Sequence, residues 1–177
     1  VTPERQILQS LENQIRAPRA LAYLSRLADE VSAKLHADPA ARLAWKPVPL
    51  GTYEVLPEGI ASSWVFVLRA GCSSGAERHP NSIQRVMSFG GSADMQTWNG
   101  ERWVSNILQS DADTIERRWL SIPVNVWHRP VMGDVDWVVV SFHTASDEAL
   151  IEELPLDDEH PDAGTRSAEV YAGRVAR

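Results

Sequence analysis

The sequence predicts an all-β jelly roll with an N-terminal helical extension. Apolar residues recur at helical spacing over the first fifty positions, the hydrophobic period changes to two from Gly51 onward, and turn signals then arrive about every eight to twelve residues. The chain has 177 residues, 44% of them hydrophobic, with seven tryptophans, which is enough to bury a sizeable core and fits one domain. Residues 1–50 are expected to form the helical extension, 51–146 the β-barrel, and 147–177 a short helix followed by an acidic, partly flexible tail.

Thr2 followed by Pro3 and Glu4 reads as an N-cap with proline at the first helical position, and Ile7, Leu8, Leu11 and Ile15 make one apolar stripe. A second helix starts near Pro18, with Leu21, Leu24, Leu27, Val31 and Leu35 on one face. Asp38-Pro39 repeats the cap-then-proline pattern and predicts a further turn of helix ending near Trp45. The strands expected next are 52–56, 64–69, 83–89, 94–98, 102–107, 114–120, 124–129 and 136–143. Among them Asn99-Gly100 signals a hairpin, because both central residues of a type I′ turn need positive φ. Residues 147–154 read as one short helix capped by Ser146 or Asp147, and the remainder, rich in Asp, Glu, Gly and Pro, as solvated tail.

The net charge of −7 is uneven, summing to +2 over residues 1–50, −3 over 51–146 and −6 over 147–177. Nonspecific binding to nucleic acid or to an anionic membrane needs a basic face, so neither partner is expected. The longest apolar stretch, 135–142, contains an aspartate and a serine and is too short to span a bilayer. The N-terminus shows no basic region followed by an apolar run, and Cys72 stands alone, which fits a cytoplasmic location. No phosphate-cradling glycine loop, dinucleotide fingerprint, Cys-x-x-Cys pair or Gly-x-Ser-x-Gly elbow occurs, which argues against nucleotide chemistry and serine hydrolysis.

Two segments carry chemistry. Glu77 and His79 are two residues apart, so on an extended strand a carboxylate and an imidazole face the same way. Pro80-Asn81 interrupts that strand and lets Gln84, at an odd separation from His79, rejoin the face. In the second segment His128 shares a face with Val124 and Val126, and an inward histidine must satisfy both ring nitrogens, by metal ligation or by hydrogen bonds within the core. Arg69, Arg78, Arg85 and Arg102 are candidate anchors for an anionic substrate, although solvated strand-face arginine is the plainer reading of each. Trp119 and Trp127 are read as core or as walls of a small-molecule pocket.

The spacing of these residues resembles the double motif of the cupin family. His79 matches the second histidine of the first motif, Gln84 its glutamate and Gly90 its closing glycine; Gly71 matches the opening glycine; Pro123 and His128 match the proline and histidine of the second motif. Glu77 stands where the first histidine would be and Asn125 where a glycine would be; Asn, like Gly, tolerates left-handed backbone angles. The resemblance covers roughly residues 50–145 and implies a double-stranded β-helix with a metal site in its mouth. The ligands it implies are Glu77, His79 and His128 with Gln84 assisting, holding one divalent ion. Two histidines and one carboxylate favour Fe(II), with Ni, Mn or Zn as other candidates.

Ser141 and His143 follow His128 at a spacing similar to that of cysteine dioxygenase-type thiol dioxygenases, whose Ser-x-His-x-Tyr run lacks its tyrosine here, since Ala145 stands in that place. They are the candidate catalytic pair, with a buried structural histidine as the plainer reading of His143. The resemblance implies a metal-dependent dioxygenase acting on a small organic acid or related metabolite. The alternative is a metal-free cupin that binds a small ligand as a sensor. Exposed strand edges and tryptophans suggest a homodimer in either case.

Overall fold

The computed structural model describes residues 3–170. Two helices lead, α1 (Pro3–Arg16) and α2 (Pro18–Ala37), broken at Ala17 where the proline removes a backbone donor. The expected cap at Thr2 lies outside the described residues. The strands are β1 (Leu43–Pro47), β2 (Ser62–Leu68), β3 (Gln84–Gly90), β4 (Ser92–Trp98), β5 (Trp103–Val104), β6 (Ile107–Gln109), β7 (Trp119–Ile122), β8 (His128–Met132), β9 (Trp137–His143), β10 (Ile151–Pro155) and β11 (Thr165–Val170), with a single helical turn, α3 (Ile115–Arg118), before β7.

These strands form two facing layers. One is a five-stranded antiparallel sheet in the order β1-β2-β9-β3-β7. In the other, β4 pairs with β5 and β6 along one edge and with β8 along the other. Isolated bridges Ser73–Val131 and Glu77–His128 lay the segment 73–79 beside β8, and a bridge between Arg78 and Glu153 joins that segment to the β10–β11 hairpin.

Both faces of the five-stranded sheet are covered, which is why its strands are apolar at nearly every position. Val65, Val67, Met87, Val140 and Phe142 pack outward against Leu11, Ile15, Leu24, Val31 and Leu35 of the helices. Leu68, Val86, Trp137 and Val139 point inward and pack with Ala93, Met95, Leu108 and Met132 of the second layer. Gly91 turns β3 into β4 at φ +78, and a Cβ there would lie 2.8 Å from the Asp136 carbonyl, so only glycine fits.

Several expectations need correction. The turn of helix predicted after Asp38-Pro39 is instead the edge strand β1, paired with β2 from Leu43–Leu68 to Pro47–Trp64. The strand predicted at 52–56 is a 3-10 turn (Leu50–Thr52) and loop, whose Glu54 and Val55 amides donate to Gln14 Oε1. The predicted 102–107 strand splits into β5 and β6, and 114–120 holds α3 before β7. Of the predicted 124–129 strand, residues 124–127 form the turn into β8 and only His128 and Arg129 are strand. Asn99 does not adopt positive φ; its side chain instead accepts from the Glu101 and Arg102 amides, closing a four-residue loop with Gly100 at φ +95. The helix predicted at 147–154 is a turn followed by β10, and the tail pairs as β11 up to Val170.

Candidate metal centre

The segment around Glu77 is extended because both its backbone edges are taken. On one side the Glu77 and His128 amides exchange hydrogen bonds with each other's carbonyls at 2.9 and 2.8 Å, and on the other Arg78 and Glu153 do the same at 3.0 and 2.9 Å. Strand parity then sends Glu77 and His79 to the barrel side and Arg78 to the other, where it sits over the Trp127 ring at 4.3 Å and pairs with Glu153 at 2.6 Å. Pro80-Asn81 forms a turn, as expected, and β3 begins at Gln84. Asn125 adopts φ +63, the left-handed angle predicted for the glycine position of the motif.

Three groups converge. The Glu77 carboxylate lies 3.3 Å from His128 Nε2 and 3.8 Å from His79 Nε2, and the donor atoms of all three lie within 4.8 Å of one another. The two histidines are almost fully buried, with side-chain exposures of 3% and 1%, whereas Glu77 is 29% exposed and forms the open side.

Each imidazole is oriented from behind. His79 Nδ1 lies 2.9 Å from the Ile151 carbonyl and His128 Nδ1 lies 3.1 Å from the Val126 carbonyl. A carbonyl only accepts, so each Nδ1 carries the proton and each Nε2 presents a lone pair toward Glu77. Burial is the main cause that pushes both histidines down to about 4, so both are neutral at pH 7. The neighbouring His128 pushes His79 further down, while the carbonyl bonds and nearby Glu152 pull both histidines partly back up. Two lone pairs aimed at a carboxylate repel unless a cation lies between them, and His128 Nε2 has no hydrogen-bond partner among the described residues. Neutral imidazole and carboxylate are ligands that a divalent metal accepts. The residues present therefore fit a metal.

The other sequence candidates stand around this group. Gln84 is buried directly across from His143 in the β3–β9 pairing, and its Oε1 has no hydrogen-bond partner among the described residues. His143 packs edge-on against His79 with ring centroids 5.4 Å apart, and neither of its ring nitrogens has such a partner. Ser141, two residues back on the same face, is fully buried with an unpartnered Oγ. Burial, with the two neighbouring histidines next, holds His143 well below the usual imidazole range.

Between the layers lies a cavity of about 50 Å³ walled by Leu43, Phe66, Leu68, Val86, Met95, Pro130, Trp137 and Val139, with Glu77 and Gln84 supplying polar groups. The tryptophan on this wall is Trp137, not Trp119 or Trp127, whose indole N–H groups donate to Glu12 and Asp162. Three of the four arginine candidates are occupied elsewhere, Arg69 donating to the carbonyls of Leu35, Asp38 and Ala41, Arg85 pairing with Glu4 and Arg78 with Glu153, while Arg102 is exposed in the loop before β5.

Sequence reasoning missed the contribution of β10, which brings the Ile151 carbonyl and the buried Glu152 to the site. A signal was present in the apolar, acidic alternation from Ile151 to Leu154, which suits a half-buried strand as well as a helix.

No family model and no curated protein matches the sequence. Among solved structures, pro-11S globulin of pumpkin superposes over 66% of this chain with a TM-score of 0.50 and 18% identity. The chain has the cupin fold. CapF, a capsular polysaccharide assembling protein from Staphylococcus aureus, superposes over 60% of the chain with a TM-score of 0.47 and 15% identity, and an oxalate oxidase over 61% with 0.47 and 12%. The matches span 29% of the globulin, 27% of CapF and 53% of the oxalate oxidase, less than two thirds of each. They lend no support to the narrower resemblance to cysteine dioxygenase-type enzymes. No helix among the described residues is long and apolar enough to cross a membrane.

Proposed function

We propose that this cupin binds one divalent metal ion through Glu77, His79 and His128 and uses it in oxygen-dependent chemistry on a small organic acid or related metabolite. The observation that carries the reading is the convergence of two neutral, carbonyl-oriented Nε2 atoms on one carboxylate within 4.8 Å. A two-histidine, one-carboxylate set leaves coordination positions open, and Fe(II) is the favoured ion for it, supplying redox chemistry with O₂.

The chain's own groups have distinct tasks in this reading. The Ile151 and Val126 carbonyls hold the imidazoles in the ligating tautomer. The apolar walls keep water from the reacting atoms and restrict the substrate to a few heavy atoms, as the cavity volume requires. Gln84 offers its amide to a polar substrate group at the cavity wall. His143, neutral and edge-on to His79, accepts a proton from the substrate at one of its unpartnered ring nitrogens, with Ser141 beside it as a hydroxyl donor.

Metal analysis of protein purified without a histidine tag tests this. One ion per chain is expected in the wild type and less than a tenth of that in His79→Ala and His128→Ala, and O₂ uptake with a panel of small carboxylic acids then follows the metal content. Substoichiometric metal that neither substitution changes would sink the proposal and favour the metal-free ligand-binding alternative.

A further inference from the structure

Strand register brings a second carboxylate to the same face. Because Arg78 and Glu153 exchange backbone hydrogen bonds as an antiparallel pair, the residues one step away, His79 and Glu152, stand opposite each other and project to the same side. The neighbouring residues confirm the two faces: Arg78, Trp127 and Glu153 meet on one, leaving Glu77, His79, His128 and Glu152 on the other. Glu152 is 6% exposed.

We propose that Glu152 is the charge-compensating residue of the metal centre, acting on the bound ion through His79 rather than joining the donor set. This rests on the reading of Glu77, His79 and His128 as ligands. Two neutral imidazoles and one carboxylate leave a divalent ion with a net charge of +1, and an uncompensated charge in a buried site is costly. A second carboxylate on the same face brings the sum to zero. Glu152 stands outside the three groups whose donor atoms cluster within 4.8 Å, and strand register sets it opposite His79 on β10. Strand β10 thereby supplies two supports to His79, the Ile151 carbonyl that orients its ring and the neighbouring carboxylate that favours the positive charge delivered to it. The ion selected by such a balance is divalent.

The test is titration of the full-length, metal-free protein with Zn²⁺ at neutral pH, together with the absorption spectrum of the Co²⁺-loaded form. Glu152→Gln should still bind one ion with unchanged Co²⁺ bands, but with Kd raised about 10- to 100-fold. Glu152→Asp, which keeps the charge, should recover most of that loss. A wild-type Kd in Glu152→Gln overturns the proposal, as does a change in its Co²⁺ bands, which would make Glu152 a direct ligand. Glu77→Gln serves as the control for the donor set: altered bands there, beside wild-type affinity in Glu152→Gln, leave the three-ligand reading standing and remove Glu152 from it. A wild type that takes up neither ion overturns both. Should Glu152→Gln fail to fold, Glu152→Met, uncharged and of similar length, is titrated in its place, with the same two outcomes.

Discussion

On the helix-covered face of the five-stranded sheet, buried charge is matched. Glu12 of α1 receives Arg118 Nη2 at 2.7 Å and the Trp119 indole N–H at 2.6 Å, and Arg85 of β3 grips both Glu4 oxygens at 2.7 and 3.0 Å. On the barrel side, Gln84 Oε1 of β3, Ser141 Oγ and both nitrogens of His143 of β9, and His128 Nε2 of the facing β8 have no hydrogen-bond partner among the described residues, whereas beside the helices Arg118 Nε is the one such atom. An unsatisfied buried polar group costs about 1–3 kcal/mol, so a fold does not accumulate several in one place for stability. The matched face holds the helices to the barrel; the unmatched face is the one to which the proposed metal and substrate are assigned.

The largest effect expected from breaking this contrast is on the matched side. Glu12→Ala removes the acceptor of Arg118 Nη2 and of the Trp119 N–H and should destabilise the protein by about 3–5 kcal/mol, read by urea denaturation. Metal content of the protein that remains folded should not change. If Glu12→Ala were neutral, the contrast between the two faces would fail.

Acid should discriminate the faces next. His79 and His128 have folded-state values near 4, below the 6.5 of an exposed imidazole, so between those values the unfolded chain binds protons that the folded chain does not. Their contribution to stability is complete above about pH 6.5 and falls as pH drops toward 4, by up to about 1.4 kcal/mol per pH unit for each histidine. Metal-free protein melted at pH 7, 6 and 5 should show this decline, and saturating Zn²⁺ should oppose it. A flat profile would mean that the imidazoles are already protonated or are not buried in solution.

The smallest effect sharpens the comparison most. His143→Phe replaces a buried ring with two unpartnered nitrogens by an apolar ring of similar shape, so the metal-free protein should keep its stability or gain about 1 kcal/mol. Turnover, in contrast, should be lost. Destabilisation by thermal melting would show that His143 has a structural partner and belongs to the matched class.

Much of the site was legible because its logic is local. The two-residue separation of Glu77 and His79 fixes a common face whatever the surroundings, Pro80-Asn81 breaks the strand through its own backbone limits, and Asn125 takes the left-handed angle that few other side chains tolerate. Helices α1 and α2 were legible for the same reason, their stripes repeating every three or four residues. The same local rules misplaced β1 and β10. Asp38-Pro39 is a sound helix start, but the following residues gain more from pairing with β2, and the Glu- and Leu-rich 151–154 favours helix until Arg78 and β11 occupy both of its edges.

The sequence by itself therefore determined the cupin barrel, its helical cover and the three converging side chains, because parity and turn chemistry are properties of neighbouring residues. Which groups stand behind those ligands was decided only by tertiary structure. The distances from His79 to Ile151, Glu152 and His143 span more than sixty residues of chain, and no periodicity encodes which strand comes to lie beside which. Backbone pairing between distant segments set that register, and with it the place of the second carboxylate beside the candidate metal centre.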